Sequence, residues 1–431
     1  MPRVLLLATT TGYQTRAFGD AAERLGVDLI FGTDRCDVLE DPWMDRAIPI
    51  RFHDEAASTS AVLEATRSRP LDGVLAVGDR PTVIGARVLE ALGLPGHSAE
   101  AAAVARNKRR TREAQRAAGL PMPWFLTTPV STDPRTLLGS VSFPCVVKPL
   151  ALSGSRGVIR ADSLPELVGA FDRLRRILQA PDILNERQEV HDHALVEGFV
   201  DGREFAVEGV LNHGSLHVLA LFDKPDPLNG PFFEETIYIT PSRAARELQQ
   251  AMALAVGLAA RAIGLSHGPV HAEVRAGDQG QVVVLEVAGR PIGGLCARAL
   301  RFWQKTGRVY FPESVSLEEL LLRHALGEST EDWRREEPAS GVMMIPIPRA
   351  GVYRHASGLD DARRTPLIDD IRITAKPDQL LVPLPEGASY LGFIFARGEA
   401  PSQVERALRD AHARLQFTID PEVRVLQSPH G

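Results

Sequence analysis

Residues 143–159 read FPCVVKPLALSGSRGVI, the stretch around which the rest of the chain is organised. The apolar pair Val146-Val147 ends at Lys148, a loop of small residues follows (Ser153, Gly154, Ser155, Arg156, Gly157), and a second apolar run begins at Val158. The pattern predicts two strands joined by a flexible turn, with a cation beside a row of backbone N–H groups. Glycines let the backbone approach a ligand closely, and adjacent N–H groups make a concavity that suits phosphate oxygens. An ordinary hairpin with a solvated lysine fits the same residues, so the rest of the chain has to decide.

Residues 3–9 form a continuous apolar run of the kind buried on both faces of a parallel sheet. Helical spacing follows over 14–25, strands over 27–31 and 73–77 (within GVLAVGD), and a helix over 82–92. Alternating strand and helix predicts a doubly wound α/β domain over residues 1–95. Thr9-Thr10-Thr11-Gly12 stands where a dinucleotide fold would carry GxGxxG, which argues against such a site. Residues 101–118, rich in alanine and arginine, predict one helix stopped by Gly119 ahead of Pro121 and Pro123. Lys108, among Arg106, Arg109 and Arg110, reads on spacing alone as a solvated charge.

The stretch 194–211 (ALVEGFVDGREFAVEGVL) predicts a strand, a tight turn at Asp201-Gly202 and a second strand with Glu204, Ala206 and Glu208 on one face. Residues 231–240 (PFFEETIYIT) read as a loop entering a strand, and 248–263 as a long apolar helix. Two strands follow, 269–275 (PVHAEVR) and 281–287 (QVVVLEV). Period two gathers His271, Glu273 and Arg275 on one face of the first, and sets Glu286 among valines in the second. A carboxylate in such a strand is costly unless paired or bound to a metal. Arg290 and the pair Gly293-Gly294 come next. Beyond residue 311 the composition shifts to an exposed connection at 329–340, short strands at 342–346, 371–375, 380–383 and 390–396, and a helix at 402–415, a small α+β lobe.

At 431 residues the chain is too long for one core. A net charge of −6 argues against a nucleic-acid partner. Cys36, Cys145 and Cys296 are widely spaced and odd in number, so neither a metal cluster nor a disulfide framework is expected, and a reducing cytoplasm fits. The first apolar run is too short for a signal peptide, and no run approaches the roughly 18 apolar residues of a membrane span.

Lys108, Lys148 and the small-residue loop suit phosphates. Glu273 and Glu286 suit Mg2+, which takes one or two carboxylates together with phosphate oxygens. Arg290 suits charge on a transferring phosphoryl group. No GxxxxGK[ST] is present, and the kinase signatures HRD and DFG are missing.

In this order the residues resemble the ATP-grasp superfamily of carboxylate–amine ligases. The motifs are Asn107-Lys108, Val146-Val-Lys-Pro149 with the loop at 153–158, Val196-Glu-Gly-Phe-Val200, Gly202-Arg-Glu-Phe, and the pair Glu273 and Glu286. The resemblance implies a doubly wound N-terminal domain over 1–95 and an ATP-grasp domain over 96–310, built of two α+β subdomains (96–193 and 194–310). The lobe over 311–431 is similar to that of biotin-carboxylase-like members. It implies that ATP is held by Lys108, Lys148, Ser153, Gly154 and Ser155, its adenine by Glu197 and the Val200 backbone, and its ribose by Glu204. It further implies Mg2+, with Mn2+ as a substitute, on Glu273 and Glu286, and Arg290 near an acyl phosphate. Ala288 stands where the family has an asparagine, which removes one ligand to a second ion.

Residues 231–242 and 286–294 look most like the L-amino-acid (dipeptide) ligase group. That likeness implies a substrate cavity lined by Glu234, Arg290, Gly293 and Gly294, with Lys224 approaching the phosphates. The implied reaction phosphorylates a carboxylate with ATP and passes the acyl group to an amine, forming a dipeptide or related amide. The implied partners are small molecules, neither nucleic acid nor membrane, and the family brings the expectation of a homodimer. Two other readings use the same cradle: a biotin-carboxylase-type enzyme activating bicarbonate, and a nucleotide-binding protein without turnover.

Overall fold

The computed structural model describes residues 1–9, 14–34, 47–304 and 314–421. Cys36, and Thr10, Thr11 and Gly12, lie outside the described residues. Strands β1 (Arg3–Ala8), β2 (Asp28–Thr33), β3 (Ile48–Pro49) and β4 (Gly73–Val77) form a parallel sheet in the order β3-β2-β1-β4. Residues 4–8 are fully buried, as a strand covered on both faces must be. The helix Thr82–Leu92 ends at Gly93 in the left-handed conformation (φ 65°), which glycine adopts without steric cost.

The single helix expected over 101–118 is two, Ala99–Arg106 and Lys108–Ala117. Asn107 breaks it: its backbone is extended and its side chain accepts from the N–H groups of Arg109 and Arg110 at 3.1 and 3.2 Å. A side-chain cap here outweighs the helical preference of the flanking alanines. The break turns the Lys108 N–H onto the Leu150 carbonyl at 2.9 Å, docking the second helix against the 150–157 loop.

Strands β5 (Phe125–Pro129), β6 (Cys145–Pro149), β7 (Ile159–Ala161) and β8 (His193–Gly198) form an antiparallel sheet in the order β5-β8-β6-β7. The helix Leu164–Leu178 backs it through Leu167, Phe171 and Leu174. Strands β9 (Arg203–Asn212), β10 (Ser215–Asp223), β11 (Ile237–Thr240), β12 (Gly268–Ala276) and β13 (Val282–Ala288) begin a larger sheet, covered by the helix Arg246–Ile263.

A small sheet joins β14 (Arg301–Gln304), β15 (Val315–Ser316) and β16 (Trp333–Arg335). The connection expected to be exposed over 329–340 therefore contains a strand. Trp333 is 2% exposed and packs with Phe302 and Leu317, while its charged neighbours stay on the surface. Strands β17 (Ala339–Ile345), β18 (Gly351–Ser357), β19 (Ile368–Ile373), β20 (Leu380–Leu381), β21 (Gly392–Gly398) and β22 (Gln416–Asp420) complete the described chain.

Strand β17 pairs with β11, from Met343 opposite Ile237 to Ser340 opposite Thr240. One eight-stranded sheet, β13-β12-β9-β10-β11-β17-β21-β19, thus runs from the central region into the C-terminal one. This continuity carries Met344, Ala388 and Tyr390 to the cleft described next. Among the described residues, no helix is long and apolar enough to cross a membrane.

Candidate active site

A cleft of about 480 Å³ is lined from the β5–β8 sheet, the eight-stranded sheet and the turn after β4. Its floor is a ladder set by register. Across β9 and β12, Glu204 lies opposite Arg275, Ala206 opposite Glu273, and Glu208 opposite His271. Across β12 and β13, Glu273 lies opposite Glu286, and His271 opposite Ala288. Period-two spacing on adjacent strands gathers these polar side chains on one face.

The cationic wall comes from Lys108, Lys148 and the loop Ser153, Gly154 and Ser155, all of which line the cleft. Lys108 Nζ donates to the Leu152 carbonyl at 2.7 Å and stands 3.5 Å from Glu286 Oε2. Lys148 Nζ pairs with Glu197 Oε1. Arg112, only 2% exposed, grips the same carboxylate, with Nε 2.9 Å from Oε2 and a terminal nitrogen 3.2 Å from Oε1.

Burial alone would raise the Glu197 pKa, but Arg112 and Lys148 outweigh it and hold the carboxyl at about 2. Glu197 therefore orients Lys148, and both of its oxygens are engaged by cations. Val200 also lines the cleft, and its carbonyl accepts from Arg275 at 2.6 Å. Sequence reasoning missed Arg112. It is one of several arginines on its helix, and only its partner distinguishes it.

On the acidic side, Glu204 accepts from Lys224 Nζ at 2.8 Å and from Arg275 Nε at 2.9 Å. Lys224 Nζ also contacts Glu235 and stands 3.2 Å from Glu273. Oxygens of Glu204, Glu235 and Glu273 lie within 4.8 Å of one another, the spacing of a cation seat, and the Lys224 ammonium touches all three. Burial works against the charge on Lys224, but the carboxylates more than offset it and raise its pKa well above the usual lysine value.

The residue at this wall is Glu235, held by the Tyr238 hydroxyl at 2.8 Å; the structure leaves Glu234 out of the cleft lining. Along this extended segment Phe233 and Glu235 line the cleft, while Glu234 between them is half-buried and outside the lining, and burial raises its pKa. Lys224 itself lies behind the wall, where its ammonium meets these carboxylates and lies 4.9 Å from the centre of the Tyr238 ring.

At the far end, Arg290 Nε and a terminal nitrogen donate to the two oxygens of Asp79, at 2.7 and 3.1 Å. Burial would raise the Asp79 pKa; the Arg290 guanidinium outweighs it and holds the carboxyl at about 2. Asp79 was legible only as the end of the GVLAVGD run, although the carboxyl ends of parallel strands are where such folds place ligand groups. Gly293 and Gly294 line the cleft beside Arg290, and a Cβ on Gly294 would lie 3.1 Å from the Phe393 ring. His271 is oriented by a 3.0 Å contact from Nδ1 to the buried Glu208.

Facing carboxylates on β12 and β13 beside two lysines are the donor set that a hard divalent cation takes together with polyphosphate oxygens. Mg2+ and ATP therefore fit the residues present.

Three family models match in sequence order: ATP-grasp N-terminal domain over residues 19–96, ATP-grasp domain over 141–299 and L-amino acid ligase C-terminal domain 2 over 343–420. Residues 19–96 and 141–299 are thus ATP-grasp domains. This ATP-grasp protein is similar over 97% of its length to the crystal structure of an L-amino acid ligase from Bacillus licheniformis, covering 99% of that chain at 25% identity and a TM-score of 0.77. It is 24% identical over 439 residues to an uncharacterized protein, y4rH, of Sinorhizobium fredii, covering 98% of this chain and 84% of that one.

It is also 28% identical over 221 residues to the alanine–anticapsin ligase of Bacillus subtilis. That match covers 48% of this chain and 46% of the ligase, so the chain spans about half that relative's length. The biotin carboxylase of Campylobacter jejuni shares the fold at a TM-score of 0.63 and 14% identity, a likeness of fold alone.

Proposed function

We propose that this ATP-grasp ligase activates an amino acid or a similar small carboxylate as an acyl phosphate, then couples it to an amine. A substrate carboxylate oxygen attacks the γ-phosphorus of ATP, and ADP leaves. The amine nitrogen then attacks the acyl carbon, inorganic phosphate leaves and the nitrogen loses a proton, so that an amide remains. The observation that carries this reading is the meeting of opposite charges in one cleft: Lys108, Lys148 and the 153–155 loop on one wall, Glu273, Glu286 and Arg290 on the other. A carboxylate is a poor electrophile at neutral pH, so the chemistry needs an activated carbonyl and protection from water. The enzyme contributes positioning and charge stabilisation.

In this reading Lys148, aimed by Glu197 and Arg112, binds phosphate oxygens together with Lys108. Glu273 and Glu286 would hold Mg2+, which supplies charge neutralisation on the polyphosphate. Arg290, aimed by Asp79, stabilises negative charge on the acyl phosphate. Glu235, Tyr238 and Tyr390 line the remaining space, where the charged amino group and side chain of an amino acid would lie.

The test is phosphate release from ATP and Mg2+ with pools of amino acids, read beside mass spectrometry of the products. Release that requires a carboxylate and an amine, with an amide product, is expected. Release requiring bicarbonate and biotin, or none with any pool, would overturn the proposal.

A further inference from the structure

The loop at 153–157 is held from outside the two sheets that form the cleft walls. The Gly157 N–H donates to the Pro385 carbonyl at 2.9 Å, and Arg156 Nε donates to the Glu386 carbonyl at 2.8 Å. The Glu386 carboxylate takes a two-pronged ion pair from Arg173, at 2.5 and 2.9 Å, and Arg173 lies on the helix behind the loop. A Cβ on Gly154 would lie 3.4 Å from that of Ala388. Residues 383–388 thus touch the loop at its front, its back and its supporting helix. The Arg173 guanidinium also lies 4.6 Å over the Phe232 ring, and Phe232 bridges to Ile159 beside the loop.

Two features make this a fastening that can release. The loop holds Gly154, Ser155 and Gly157 at φ 62°, 55° and 74°, a left-handed run that non-glycine residues seldom adopt and that gains from outside support. The Arg173 and Glu386 side chains are about one third exposed (34% and 36%), and such ion pairs are individually weak. A loop over phosphates has to open for nucleotide to enter and close to exclude water.

We infer that residues 383–388 are a latch that holds the 153–157 loop closed, so that nucleotide entry and escape are governed from the C-terminal region. The consequence for nucleotide rests on the function proposed above, whereas the latch is a property of the free chain.

Hydrogen exchange of the segment 151–160 in the ligand-free, full-length chain tests it, in Glu386→Gln, Arg173→Met and the double variant. Each single change is expected to speed exchange severalfold there, with the double no faster than Arg173→Met alone, because that change already removes the contact shared with Glu386. Exchange in β1 to β4 should not change, which separates release of a latch from general loosening. Unchanged exchange in both single variants, or additive effects in the double, would overturn the latch. With a fluorescent ATP analogue and Mg2+, Glu386→Gln is expected to release nucleotide severalfold faster, as for a gate held less firmly. An unchanged release rate would also count against the latch. Failure of the unaltered chain to bind the analogue would sink the nucleotide reading, leaving the exchange data to decide the latch.

Discussion

Arg290 and Asp79, 211 positions apart, are joined by two parallel hydrogen bonds of 2.7 and 3.1 Å. The pair fastens the N-terminal sheet to the end of β13 and fixes the plane of the guanidinium in the cleft. Removing one partner of a buried pair strands the other charge, so Asp79→Ala is expected to cost roughly 3 kcal/mol in urea unfolding. Asp79→Asn keeps one acceptor and should cost less. It should still lower kcat for phosphate release about tenfold with KM for ATP little changed, because it disturbs only charge placement in the transition state. Equal losses in kcat/KM arising from KM alone would contradict a positioning role.

Glu286 faces Glu273 across the β12–β13 register and stands 3.5 Å from Lys108 Nζ. Glu286→Ala removes one of two facing carboxylates from the proposed metal seat. Phosphate release should fall on the order of a hundredfold or more. Mn2+ binding in the presence of a non-hydrolysable ATP analogue, followed by electron paramagnetic resonance, should weaken in parallel. An unchanged Mn2+ titration would exclude Glu286 as a ligand.

The shared face of Glu204, Ala206 and Glu208, and that of His271, Glu273 and Arg275, were legible because strand spacing is strictly two, and spacing is local information; that the two faces lie opposite one another was not. Other features required tertiary contacts. Glu235 rather than Glu234 faces the cleft because the Tyr238 hydroxyl and the Lys224 ammonium hold it there. Arg112 differs from the arginines around it only in reaching Glu197, 85 positions away. Asn107 breaks a helix by a cap that its alanine-rich surroundings disguise. The eight-stranded sheet depends on β11 meeting β17, a pairing across about a hundred residues that no periodicity encodes.

Lys224 holds together Glu204, Glu235 and Glu273, and burial already raises the Glu273 pKa, with Glu235 sharing a hydrogen bond. In Lys224→Met, Glu204 keeps Arg275, but Glu235 and Glu273 lose their common cation and repel, so the folded-state pKa values of these two rise above the unfolded ones. Stability from such groups is present at low pH and is lost as pH rises through the raised values. The variant should therefore lose roughly 3 kcal/mol at pH 8 and regain most of it near pH 5. Mg2+ should also restore it at pH 8, by taking the seat of the ammonium. Thermal melts across this range, with and without Mg2+, would refute the account if the variant tracked the unaltered chain.

His97, His213, His267 and His324 pack together away from the cleft, with His267 ring centroids 4.3 Å from His324 and 4.8 Å from His213. His97 Nε2 lies 3.1 Å from the Pro269 carbonyl while Nδ1 accepts from the Ser266 N–H at 3.2 Å, an arrangement only the neutral ring makes. His324 is 3% exposed, and the titratable neighbours that act on it are the other three imidazoles. Burial first, and these imidazoles second, lower His324 to about 4; burial lowers His97 to about 4 as well, with the Pro269 contact opposing.

Because the unfolded chain takes up these protons near pH 6.5, stability should fall as pH drops from 6.5 towards 4 and level off below, by about 3 kcal/mol per group. His324→Phe keeps a stacked ring and removes one proton site. Urea unfolding between pH 7.5 and 4.5 should show a shallower loss in that variant, by about one group's share. The same slope in both proteins would mean that His324 takes up its proton in the fold as readily as in the unfolded chain, and would refute the account.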